Sequence, residues 1–148
     1  MFNKIVWATD GSDAADDALP VTKMLAAEGG KEVLVVHCEE LTVPGKAAGP
    51  FPVYANEDEL QAKIDGQVAE LSRDGVSAHL KNVRARVGGA AHVIADAARE
   101  AQADVIVVGT RGHTAIGGLL LGSVTQRLLH IAHCPVVVVP SREHSNND

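Results

Sequence analysis

Short runs of β-branched and apolar residues alternate along this chain with longer segments whose apolar residues recur at helical spacing. That alternation narrows the fold to repeated βαβ units around a parallel sheet. Five strands are predicted, near residues 4–9, 32–38, 78–87, 104–109 and 135–139. The second, fourth and fifth are almost wholly apolar, as parallel strands covered on both faces should be. Four helices are predicted between them. Leu60, Ile64, Val68 and Leu71 keep helical spacing, as do Val93, Ile94, Ala97, Ala98 and Ala101, and then Val124, Leu128, Ile131 and Ala132. The first helix is expected over 13–28. It follows Ser12 and carries Asp13, Asp16 and Asp17 where the positive helix end favours acids, with Pro20 as an expected kink.

At 148 residues, 46% hydrophobic and 22% charged, the chain has the size and balance of a single soluble globular domain. Residues 1–140 are read as that domain and 141–148 as a flexible polar tail. A formal net charge of -6 with no compensating Lys/Arg block disfavours DNA or RNA as a partner. The apolar stretch before Asp10 is too short for a secretory signal, and nothing approaches a membrane span. With only two cysteines, Cys38 and Cys134, a reducing cytoplasm is the expected location. Residues 41–56 carry Pro44, Gly45, Gly49, Pro50 and Pro52 and read as a long loop. Two readings of it stand level: a cover over a ligand or partner, and a surface insertion.

The simplest order for five such strands is 3-2-1-4-5, an open parallel sheet with helices on both faces, Rossmann-like. Ligands bind such sheets beyond the carboxyl ends of the strands, where the order reverses. Thr9, Asp10 and Gly11 should therefore face Gly109, Thr110, Arg111 and Gly112 across a crevice. The second segment runs on to Gly122, Ser123, Val124 and Thr125 at the start of a helix. Gly109 and Gly112 would let backbone approach a ligand, Gly122 removes a side chain where the helix begins, and the amides of 123–125 can point at an anion. Ser123 and Thr125 offer hydroxyls, and Arg111 offers positive charge. Taken singly, these residues would serve equally well as caps and turns. The segment is not the common P-loop, since no lysine precedes Ser123, and no GxGxxG follows the first strand.

The array Gly109-x2-Gly112-x9-Gly122-Ser123, with a first strand ending Ala8, Thr9, Asp10, Gly11, Ser12, resembles the ATP-binding motif of the universal stress protein family over nearly the whole chain. The resemblance implies a five-stranded parallel sheet, ATP or AMP at the switch point, and a homodimer joined through the last strand. It places Asp10 near the ribose, Ala8 and Cys38 along the adenine pocket, the latter through its backbone, and Val108 and Gly109 close to the nucleoside. Gly112, Gly122, Ser123, Val124 and Thr125 would hold the phosphates, with Arg111 as an electrostatic helper and Mg2+ as a companion ion.

Three functions stay open on the residues alone: a nucleotide-responsive signalling module, whose nucleotide could equally be AMP or cyclic AMP, a slow ATPase or autophosphorylating enzyme, and a nucleotide-free dimeric interaction protein. No general base is paired with a nucleophile, and no second carboxylate accompanies Asp10, so fast phosphoryl transfer is not expected. His130 and His133 beside Cys134 have ligand spacing but lack a clear third ligand. His37 is expected as a satisfied core histidine, and His113 as either a phosphate contact or an exposed side chain. Cys38 and Cys134 fall too far apart in the proposed order for a disulfide, at least about 14 Å laterally against a limit of about 7 Å.

Overall fold

In the computed structural model, which describes residues 2–27, 31–41, 57–110 and 121–141, β1 (Lys4–Thr9) is the middle strand of a five-stranded sheet. β2 (Glu32–Leu41) and β4 (Val105–Gly109) pair with it in parallel on either side. β3 (Ser77–Arg86) lies outside β2 and β5 (Val136–Val139) outside β4, again in parallel. The order β3-β2-β1-β4-β5 is the predicted one. β2 runs three residues beyond its expected end, because β3 is equally long and pairs with it as far as Leu41↔Arg86. Hydrogen bonding to a partner strand outweighs the charge of Glu39 and Glu40 there.

Residue parity sorts the sheet into two cores. Ile5 and Trp7, Val33 and Val35, Val105 and Val107, and Val139 face one cluster, closed by Ala18, Leu19 and Ala26 on one side and Ile64 and Leu71 on the other. Val6 and Ala8, Val36, Ile106 and Val108 face the opposite cluster, closed by Ala91, Ile94, Ala95, Ala98 and Leu128. The period of two along each strand dictates this division. Each fully buried large side chain stabilises the fold by about 1.5–3 kcal/mol relative to exposure, so two such layers supply the main driving force.

The helices follow the predicted apolar stripes with one correction. The single helix expected over 13–28 is two: α1 (Asp13–Asp16) and α2 (Leu19–Ala26). Pro20 lies in the first turn of α2, where its missing N–H is no loss. It therefore starts a second helix rather than kinking one. The chain turns at Asp17 and Ala18, where the Ala18 N–H reaches the Ala15 carbonyl at 3.1 Å and the Thr22 N–H then picks up the Ala18 carbonyl at 3.0 Å. α3 (Glu57–Arg73), α4 (Ala90–Glu100) and α5 (Ser123–Ile131) complete the described helices. α2 and α3 cover the first cluster, α4 and α5 the second. Of the expected loop over 41–56, only Leu41, the last residue of β2, is described; 142–148 of the expected tail likewise lie outside the described residues.

The amino-terminal edge of the sheet is pinned by one carboxylate. Asp104 Oδ2 accepts the Asn3 and Lys4 amides at 2.8 and 2.9 Å, joining the starts of β1 and β4. Those two bonds hold the Asp104 carboxyl below its ordinary value, with Lys31 and Lys4 adding to the effect. A depressed carboxylate pKa contributes stability above the unfolded value, about 3.9, and loses it as pH falls through the folded value. Asp104→Asn is expected to lower the melting temperature at neutral pH and to narrow its gap to the parent protein as pH drops below about 4. Thermal melts across that range check this, and a gap independent of pH would contradict it.

Candidate functional site

β1 leaves the sheet through a turn built on its own side chains. Thr9 is buried, and its Oγ1 accepts the Gly11 N–H at 3.0 Å. Asp10 Oδ1 accepts the Ser12 N–H at 2.9 Å, closing an Asx turn. Ser12 Oγ then accepts the Ala15 N–H at 3.2 Å and caps α1. Gly11 sits at φ +80°, a conformation open to glycine at little cost. Inside the turn, the Trp7 indole N–H donates to the Ala15 carbonyl at 3.2 Å, and His37 Nδ1 meets the Thr9 carbonyl at 3.1 Å. His37 is thus satisfied as expected, but it is half-buried and belongs to neither core cluster.

β4 leaves the sheet beside this turn. A Cβ at Gly109 would collide with the backbone carbonyl of Ala14, so the glycine lets α1 lie directly on the end of β4. The Thr110 N–H pairs with the Val139 carbonyl at 3.1 Å, and the Gly122 N–H with the Thr110 carbonyl at 2.6 Å. Thr110 and Gly122, twelve positions apart in sequence, therefore form the neck of the glycine-rich segment. Arg111, Gly112 and His113 fall within that segment, outside the described residues.

The helix that follows has an open amino end. Gly122 is the N-cap of α5 in extended conformation, and among the described residues no side chain caps the helix. Its first described backbone bond runs from the Gln126 N–H to the Gly122 carbonyl at 3.0 Å. The amides of Ser123, Val124 and Thr125 precede that bond, so they are the donors a helix leaves for an outside acceptor. Ser123 is exposed. Thr125 corrects an expectation: its side chain is buried and its hydroxyl donates to the Gly109 carbonyl at 2.9 Å. The hydroxyl ties α5 to β4, and only the Thr125 amide is left for an anion.

Ala8, Cys38, Val108 and Val124 come together in the cluster under α4 and α5, an apolar floor beside those amides. Next to it a cavity of about 480 Å³ is lined by Glu40, Gly88, Ala91, Ser123, Val124 and Arg127, among others. Sequence reasoning passed over Arg127. Its signal was present, since Arg127 stands four residues after Ser123 and so shares its helical face. Lys63, whose ammonium meets the Gly11 carbonyl at 2.8 Å, carried no such signal, because its partner is 52 positions away. Among the described residues no three His, Cys, Asp or Glu side chains gather as metal ligands, and no helix is long and apolar enough to cross a membrane.

A model of the universal stress protein family matches residues 1–140. The chain belongs to the universal stress protein family. A relative from Thermus aquaticus, the universal stress protein in the QAH/OAS sulfhydrylase 3' region, is 37% identical over 139 residues, 94% of this chain and 99% of its own. Among solved structures, MJ0577 of Methanocaldococcus jannaschii superposes with a TM-score of 0.73 at 26% identity, covering 95% of this chain and 96% of that one. A universal stress protein in complex with cAMP does so at 0.61 and 25% identity, covering 95% and 98%. The open sheet with its 3-2-1-4-5 order is thus the fold of the family.

Both cysteines of this family member are free thiols. Burial pushes the Cys38 thiol from 9.0 up to about 11, with Glu40 and Glu39 adding to the rise. The higher pKa leaves far less thiolate at pH 8, partly offset by its greater nucleophilicity. Alkylation of Cys38 by iodoacetamide in a Cys134→Ser variant is expected to run at least about tenfold slower than alkylation of free cysteine. Mass spectrometry of timed samples checks this; a rate equal to that of free cysteine would mean that the end of β2 is open to solvent.

Proposed function

We propose that this universal stress protein is a signalling module that binds an adenine nucleotide, ATP foremost, in the crevice beyond the carboxyl ends of β1 and β4. The observation that carries the reading is the start of α5, uncapped by any side chain among the described residues, at the strand-order reversal beside an apolar floor. Three amides and the positive end of a nine-residue helix favour phosphate there. The cAMP complex of a relative at 25% identity supports an adenine nucleotide as the class of ligand.

In this reading Asp10 stands at the ribose, Ala8 and the Cys38 backbone line the adenine, and Val108 and Gly109 flank the nucleoside. Gly122 and the amides of Ser123, Val124 and Thr125 hold phosphates together with Gly112 and Arg111. A Mg2+ ion accompanying the nucleotide would be held chiefly by phosphate oxygens and water, as that ion prefers. Asp10 lies in the turn itself, and one of its oxygens already serves the Ser12 amide. Such a site binds better than it hydrolyses, so turnover is slow or nil.

The protein acts as a homodimer through β5 in the cytoplasm. β5 pairs with β4 along one edge, and among the described residues no strand covers the other. An apolar run of four valines on an open edge calls for a cover, and a two-fold mate supplies one. Sedimentation at micromolar concentration is expected to give twice the chain mass; a monomer would remove this part of the proposal.

Gly122→Asp tests the site. Gly122 has φ -69° and ψ 161°, which any residue adopts, and aspartate is a preferred N-cap. The variant should fold with equal or greater stability while its carboxylate occupies the amides meant for phosphate. Calorimetric titration of stripped protein with ATP, AMP and cAMP is expected to show stoichiometric binding of at least one nucleotide, weakened at least about a hundredfold in Gly122→Asp. That ratio follows from replacing a charge-favouring end by a charge-repelling one, roughly 3 kcal/mol. No binding of any of the three to the parent protein would leave a nucleotide-free interaction protein as the better reading.

A further inference from the structure

We infer that Lys63 of α3 is a positioning residue for the nucleotide, acting on Asp10 through a single peptide plane; this rests on the nucleotide reading above. Lys63 Nζ donates to the Gly11 carbonyl at 2.8 Å. That carbonyl belongs to the same planar unit as the Ser12 N–H, which points the opposite way and donates to Asp10 Oδ1 at 2.9 Å. Holding the carbonyl therefore aims the N–H, and the N–H holds the carboxylate. Gly11, at φ +80°, has no side chain to restrict this plane, so the Lys63 contact adds an outside restraint to the turn's own hydrogen bonds.

α3 supplies it with one face. Leu60, Lys63, Ile64 and Gln67 follow the i, i+3, i+4, i+7 spacing of a helical stripe. Ile64 is fully buried in the core and fixes the helix on the sheet. Leu60 occupies the space beside Gly11, where a Cβ would run into its side chain. Lys63 also pairs with Asp16 Oδ2 at 2.6 Å, and Gln67 Nε2 donates to Asp16 Oδ1 at 2.9 Å. Asp16 is the last residue of α1, so the ammonium is braced against the helix that the turn leads into. Lys63 and Asp16 keep 37% and 28% of their side-chain surface exposed, and the ammonium is held from two sides by the Gly11 carbonyl and the Asp16 carboxylate. Neither the cavity beside Arg127 nor the exposed Met24 is tied to the turn by contacts of this kind.

The proposal makes Lys63 important for reading the ribose rather than for folding. ATP and 2′,3′-dideoxy-ATP are titrated calorimetrically into the full chain and into Lys63→Met and Lys63→Arg. The parent protein is expected to prefer ATP. Lys63→Met should bind ATP about tenfold more weakly with dideoxy-ATP nearly unchanged, so that the preference collapses, and Lys63→Arg should restore most of it. Equal weakening toward both ligands, or no change toward either, would overturn the proposal while leaving the nucleotide reading in place. No binding of either ligand by the parent protein would overturn both. If Lys63→Met does not fold, Lys63→Gln replaces it, and hydrogen exchange at the Ser12 amide reports the link directly: faster exchange in the variant supports it, unchanged exchange refutes it.

Discussion

The carboxyl end of the sheet is organised around the close approach of α1 to Gly109. With no Cβ in the way, the Ala14 carbonyl rests on the last residue of β4, and the other face of that residue offers its carbonyl to Thr125. One glycine thus brings together the exit of β1, the exit of β4 and the start of α5. Any side chain at 109 would push α1 away from β4 and open the turn that carries Asp10. The crevice proposed for the ligand lies where three backbone segments converge at a point with no side chain.

That convergence depends on a sheet that is rigid beneath it. β1 is hydrogen-bonded on both sides and buried on both faces, so the Thr9–Ser12 turn begins from a fixed base. The two cores differ in character. The first holds the single tryptophan and large aliphatics against α2 and α3, whereas the second is rich in alanine where α4 packs. Small side chains let α4 sit close to the sheet, and the space beside it at the carboxyl end becomes the cavity next to Ser123 and Val124.

Much of this was legible in the residues. Short β-branched and apolar runs located all five strands, spacing near 3.6 located the apolar stripes of the helices, and the simplest order for such a sheet is the one observed. The glycine spacing pointed to the start of α5, whose open end is visible in the structure. What sequence could not supply was set by distance along the chain. Whether Pro20 kinks a helix or begins one depends on where the preceding turn closes. The buried hydroxyl of Thr125 is taken by a carbonyl 16 positions earlier, so residue type alone suggested a donor that is already engaged. Lys63 looks like any solvated lysine on an amphipathic helix until the fold lays it across Gly11. The segments that hold Arg111 and Gly112 are read from sequence alone.

Trp7 adds something of a different kind. It is the sole tryptophan of the chain, entirely enclosed, and its indole N–H is bonded to a carbonyl of α1. An indole's emission responds to the polarity and hydrogen bonding around its ring, so this residue is a built-in optical gauge of whether α1 is docked. The molecule's one tryptophan lies directly under the turn where a bound guest would be felt, and no label is needed to watch that corner of the protein in real time.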